Sequence, residues 1–216
     1  MQRQLPSYIV VEGPIGVGKT TLVKRLAEVF NYDTLLEDAD KNPFLADFYS
    51  NPNGSALATQ LFFLLQRAQQ TQAIRQSDIF KPVQISDFLI EKDRLFASLI
   101  LDEEELNLYN QIYDHLTIEV PTPDLVIYLQ APTSVLSQRI QKRGISYERS
   151  VRKDYLDKIN EAYTRFFHYY DKSPLLIINA AEVDFVNDDH GFQLLVEQIR
   201  STHSGRHYFN PGPNLI

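Results

Sequence analysis

The segment EGPIGVGKTT, Glu12 to Thr21, follows directly on the apolar run YIVV. Gly13, Gly18, Lys19 and Thr20 fit the spacing G-x-x-x-x-G-K-[ST]. Few short patterns constrain a chain so strongly. The pattern demands a buried strand, a tight glycine turn and a helix starting at the turn. Glycine lets backbone N–H groups close on phosphate oxygens, and the helix N-terminus adds its dipole. Lys19 is expected on β- and γ-phosphates, and the Thr20 hydroxyl on Mg²⁺. Gly16 and Thr21 complete the residues expected around a phosphate chain. A merely flexible glycine turn would not account for Lys19-Thr20 at this spacing.

Five runs read as strands: SYIVVEG, DTLLED, PVQISDF, DLVIYLQA and PLLIINA. They are nearly continuous in apolar residues, as parallel strands covered on both faces are. Helical periodicity lies between them, for example in TTLVKRLAEVF and ATQLFFLLQRAQQTQ. The expected fold is α/β: a doubly wound, five-stranded parallel sheet with helices on both faces. Residues 1–203 read as one domain, and 204–216, rich in Pro, Gly and Asn, as a loose tail. Ligands belong at the carboxyl ends of the strands.

Composition narrows the function. A formal net charge of -7 argues against a nucleic-acid partner, and the absence of cysteine excludes thiol catalysis and thiolate metal sites. The five histidines form no ligand pattern, and His168 in FFHYY reads as a packed or surface residue. No run approaches membrane-spanning length and no secretory leader is evident, so a cytoplasmic address is expected.

Two acids fall at strand ends, Glu37 in LLEDADKNPF and Asp87 in ISDFLIEKD. In a parallel sheet both converge on the rim that carries the phosphate loop. One can serve Mg²⁺ and the other can accept a proton. The stretch RIQKRGISYERSVRKDY holds an unusual share of the basic residues for an acidic chain. Arg139, Lys142 and Arg143 share a helix face there. They suggest an Arg-rich lid, about 143–152, that closes over ATP. The acidic run DEEE, Asp102 to Glu105, reads as a helix start and no more. Gln60, Phe63, Leu64 and Arg67 share another helix face, while Leu61, Phe62 and Leu65 lie elsewhere on that helix. Such a helix is either core or a wall between an active site and a dimer partner.

These features together resemble the deoxynucleoside kinase family over nearly the whole chain. The likeness rests on EGPIGVGKTTL, Glu37, TQLFFLLQRAQ, SDFLIEKDRLFA, PDLVIYLQAP, RIQKRG and DYLDKI. The SDF…EKD form is similar to the bacterial deoxyadenosine and deoxyguanosine kinase branch. The resemblance implies a P-loop NTPase-like fold, a homodimer built on helices, and a role in nucleotide salvage. It implies Glu37 as the base that takes the 5′-hydroxyl proton, and Asp87 beside Mg²⁺. Gln60, Arg67 and Asp93 fall where the family reads the base. Tyr49 and Asp154 match the groups that grip the sugar 3′-hydroxyl. Arg139 and Arg143 match lid arginines, and Asp184 and Phe185 match positions beside the adenine of ATP.

The chain departs from the family at two places. Many relatives carry Arg after the strand-three acid, where this chain has Phe88, with Lys92 one helical turn on. A further lid arginine is replaced by Ile145, with Arg149 or Arg152 as substitutes. The reading is ATP-dependent phosphorylation of a deoxynucleoside at its 5′-hydroxyl, with deoxyadenosine favoured. The alternatives are a thymidylate-type monophosphate kinase and a non-catalytic nucleotide-binding relative. Intact Lys19, Thr20, Glu37 and Asp87 argue against the last.

Overall fold

Tyr-Ile-Val-Val-Glu, the first strand, has partners on both edges. Ile9 stands opposite Ile85 on one side and Leu125 on the other, both in parallel register. The structure is a computed structural model and describes residues 5–51, 54–76, 84–116, 121–182 and 188–210. Its strands are β1 (Tyr8–Glu12), β2 (Asp33–Leu35), β3 (Gln84–Ser86), β4 (Leu125–Gln130), β5 (Leu175–Asn179) and β6 (Arg206–Phe209). They form one sheet in the order β2-β3-β1-β4-β5-β6, and every pairing is parallel. The helices are α1 (Lys19–Phe30), α2 (Leu45–Ser50), α3 (Ala56–Gln76), α4 (Lys92–Ile100), α5 (Glu103–His115), α6 (Thr133–Arg143), α7 (Lys153–Tyr169) and α8 (Asp189–Ser201).

The period-two alternation of strands divides the core. Ile9 and Val11, with Ile127 and Ile178, pack under α1 and α8 against Leu22, Leu26, Phe192 and Leu195. Val10, Val126 and Tyr128 face the other way, under α7, against Ile159, Tyr163 and Phe167. Burial on both faces explains why these strands read as continuous apolar runs. A third cluster joins α2, α3, α4 and α5 around Leu64, Ala97 and Tyr109.

The sheet has six strands rather than the expected five. The sixth comes from the segment read as a tail, whose Arg206–Phe209 pair with Leu175–Ile178. Only His207 and Phe209 turn partly inward, while Tyr208 is 70% exposed. A short, half-exposed edge strand lacks the apolar run that marks the others. The Arg206 guanidinium donates to the carbonyls of Phe167, His168 and Tyr170, closing the C-terminus of α7. His168 is exposed, as the sequence suggested. The acidic run starts α5: Asp102 accepts the amide of Glu105 at 2.9 Å, with Glu103, Glu104 and Glu105 in the first turn.

Candidate active site

The phosphate loop is shaped by sterics. Gly13 has φ +152°, and a Cβ there would sit 2.5 Å from the Leu129 carbonyl oxygen. Gly16 has φ +81°, and a Cβ would meet Ile140 at 2.8 Å. Neither position admits a side chain without displacement. α1 begins with no side-chain cap and no acid in its first turn. Its orphan N–H groups therefore face the loop as anion donors. Lys19 Nζ arches back to donate to the Gly13 carbonyl at 2.8 Å. Burial lowers its pKa, with Lys92 adding to the effect; Glu12, Glu37 and Asp87 oppose it. Thr21 is exposed on the same first turn.

The ends of β2 and β3 are braced together. The Asp87 amide donates to the Leu35 carbonyl, and Asp87 Oδ1 accepts the Glu37 amide at 2.7 Å. Asp87 Oδ2 accepts the Thr20 hydroxyl at 2.7 Å. A hydroxyl and a carboxylate thus meet at the mouth of the phosphate loop. This is an all-oxygen pair of the kind that suits Mg²⁺. Among the described residues no group of three acids or histidines could hold a metal. Two protein oxygens leave the remaining positions to water and phosphate, which is how Mg²⁺ is usually bound.

Glu37 sits at the centre of the charges. One carboxylate oxygen is ion-paired with Arg67, and the other lies 3.2 Å from Lys92 Nζ. Burial alone would raise its pKa. Arg67, Lys92 and Lys19 together outweigh burial and hold it at about 2. Arg67 is buried and is also ion-paired with the buried Asp93. Its guanidinium lies 5.2 Å from the ring centre of Phe63 and 5.7 Å from that of Phe88. Gln60 is buried on the same helix face, so the i, i+3, i+7 reading of α3 holds in three dimensions.

Glu12, which the sequence reading passed over as a strand residue, lies under this cluster with no exposed surface. It accepts from the amides of Gly13 and Leu89 and from the Tyr163 hydroxyl at 2.9 Å. Its Oε1 is also 3.2 Å from Lys92 Nζ. Lys92 is thereby held between two carboxylates. A charged residue ending an otherwise apolar strand, directly before the first glycine, was the available signal.

A cavity of about 280 Å³ opens between this cluster, α3 and residues 143–148. Lys19, Thr20, Glu37, Tyr49, Gln60, Phe63, Arg67, Asp87, Asp93 and Arg143 all line it, as does Gly16. Asp154 does not. Its side chain is 59% exposed and ion-paired with Arg152, because the first turn of α7 points it outward. Glu148 lines the cavity from the segment after α6, buried and held by Arg143 Nε at 3.0 Å. Beside it Tyr147 stacks on Tyr49, 6.1 Å between centres and 6° between planes. Tyr147 also donates to Asp40 at 2.6 Å. Burial raises the Tyr49 pKa well above its ordinary value, so the phenol stays a donor.

The other basic residues divide by position. Arg139 donates to the carbonyls of Val17 and Ala180, tying the phosphate loop to the end of β5. Ile145 lines the cavity, whereas neither Arg149 nor Arg152 does. Asp184 and Phe185 lie outside the described residues. Gly18, with φ +108°, caps the start of α1.

Comparison with known proteins agrees with this architecture. The family model for deoxynucleoside kinases matches residues 9–203. A deoxyguanosine kinase of Bacillus subtilis (strain 168) is 31% identical over 89% of this chain and 96% of its own length. A deoxyadenosine kinase of Lactobacillus acidophilus is 30% identical over 88% of this chain and 94% of its own. Among solved structures, a deoxyadenosine kinase from M. mycoides with bound dATP superposes with a TM-score of 0.78 at 24% identity, covering 90% of this chain and all of that one. With its phosphate loop, its paired strand-end acids and a match over nearly the whole domain, the chain belongs to the deoxynucleoside kinase family and is a phosphotransferase acting on deoxynucleosides.

Proposed function

We propose that the chain transfers the γ-phosphoryl of ATP to the 5′-hydroxyl of a purine deoxynucleoside, with deoxyadenosine ranked first. The observation that carries this reading is the single cavity wall shared by Lys19, Glu37 and the Gln60–Arg67–Asp93 group. Donor, base and recognition residues then meet in one cavity. The 5′ oxygen attacks the γ-phosphorus as the bond to the bridging oxygen of ADP breaks. The 5′-hydroxyl proton goes to a Glu37 carboxylate oxygen. Lys19 and the loop amides stabilise charge on the phosphates, and Arg143 supplies a further cation from the lid at 143–152. Arg139 and the Asp184–Phe185 segment serve the donor nucleotide. Thr20 and Asp87 hold Mg²⁺, which neutralises phosphate charge when bound.

Tyr49 and Glu148 take the sugar 3′-hydroxyl, and Gln60 meets the base edge with one donor and one acceptor. An acceptor phosphate would want an added cationic grip. The wall opposite the phosphate loop instead offers an amide, aromatic rings and paired charges, which supports a nucleoside over a monophosphate. Curated relatives are named for deoxyguanosine and for deoxyadenosine, which supports a purine. The protein works in the cytoplasm, in nucleotide salvage, as a homodimer. Among the described residues no helix is long and apolar enough to cross a membrane.

Steady-state rates over the four deoxynucleosides and thymidine monophosphate test the assignment. Purine deoxynucleosides should lead in kcat/KM, deoxyadenosine first. A higher kcat/KM for the monophosphate would favour the thymidylate-type reading instead.

A further inference from the structure

Glu37 cannot act as a base in the arrangement described above. Arg67 occupies one of its oxygens and Lys92 the other. The two cations are not equally fixed. Lys92 is trapped against Glu12, which is anchored by two amides and the Tyr163 hydroxyl. Besides Glu37, Arg67 has one ion-pair partner among the described residues, Asp93, and lies over the Phe63 and Phe88 rings. Its bonding there is also incomplete. Among the described residues, Arg67 Nε and Asp93 Oδ2 are both buried with no hydrogen-bond partner. Leaving such atoms unpaired is costly, so a ligand that bonds them is favoured. A base edge between Gln60 and Arg67 offers such bonds.

We propose that Arg67 couples recognition of the nucleobase to catalysis: it locks Glu37 until a bound base draws the guanidinium off that carboxylate. The proposal rests on Glu37 being the base and Arg67 facing the nucleobase, as proposed above. A correct base stabilises Arg67 in its displaced position and frees one Glu37 oxygen for the 5′-hydroxyl. The remaining charged groups around it, Lys92, Lys19, Asp87 and Glu12, stay in place. An ill-fitting base leaves the lock closed, so discrimination appears in turnover as well as in binding. Water entering the empty site meets a blocked base, which suppresses hydrolysis of ATP when no nucleoside is present.

The test uses a deoxyribose analogue with hydrogen in place of the base, so that nothing contacts Arg67. Wild-type turnover of this analogue should be slow and should rise roughly fivefold or more when free adenine is added, the range of ordinary coupling between sites. Arg67→Met should turn over the analogue faster than wild type by a similar factor and ignore adenine. Asp93→Asn should be slower than wild type, because Arg67 then turns wholly to Glu37. The double variant Arg67→Met with Asp93→Asn leaves no unpaired buried charge and should behave as Arg67→Met does. A merely structural pair would slow all three variants. Arg67→Met no faster than wild type, with no response of wild type to adenine, overturns the coupling. Unchanged turnover of deoxyadenosine by Glu37→Gln would overturn the base assignment itself, and the coupling with it.

Discussion

Glu37 shows how far neighbours decide what a side chain can do. With Arg67, Lys92 and Lys19 around it, its pKa falls from 4.5 to about 2. A folded value below the unfolded one stabilises the fold above pH 4.5. That stabilisation is lost as pH falls from 4.5 through about 2. Acid denaturation of Glu37→Gln should therefore be less steep across that window than for wild type, as followed by circular dichroism. In the same variant, turnover should fall about 10²- to 10⁴-fold, the usual worth of a general base, with KM for nucleoside changed much less. An equal rise in KM with unchanged kcat would make Glu37 only a sugar ligand. Much of this centre was legible in the sequence. The loop motif named Lys19 and Thr20, strand ends named Glu37 and Asp87, and helical spacing put Gln60 on one face with Arg67. For Glu12 only its place at the end of an apolar strand was legible; its pairing with a lysine from a distant helix was not. Glu148 was missed for a similar reason. The family resemblance pointed to Asp154, but the direction in which the first turn of α7 points is decided by packing.

Elements follow the same division. Strands buried on both faces announced themselves, while β6 did not. Its pairing with β5 is set by the backbone and by Phe209 against the α1–α8 core, not by an apolar run. Helix starts were more legible than helix ends. Asp102 at the head of α5 carries both the capping bond and three acids in the following turn. Asp102→Ala should cost about 1 kcal/mol of unfolding free energy, measured by chemical denaturation, with kcat unchanged. The turn at Tyr147–Ser150 is docked on α2 by the Tyr147–Tyr49 stack and the bond to Asp40. Tyr147→Leu removes both contacts. With that wall of the cavity loosened, KM for nucleoside should rise several-fold, of the order expected from losing about 1 kcal/mol.

At the scale of the molecule, the sheet gathers the phosphate loop, both strand-end acids and the cavity at one end, as the parallel order requires. Leu65, Leu99 and Leu108 are 46%, 38% and 47% exposed, one on each of α3, α4 and α5. Apolar side chains from three adjacent helices are the kind of surface a second copy covers. Analytical ultracentrifugation at micromolar concentration should find a dimer, and Leu65→Lys with Leu108→Lys should shift it to monomer. The account as a whole turns on where the phosphoryl group lands. Incubation with ATP, Mg²⁺ and deoxyadenosine, followed by phosphorus NMR of the product, answers this directly. The account predicts deoxyadenosine 5′-monophosphate formed in step with ADP. ADP appearing with inorganic phosphate alone, or phosphorylation only of added nucleoside monophosphates, would contradict it.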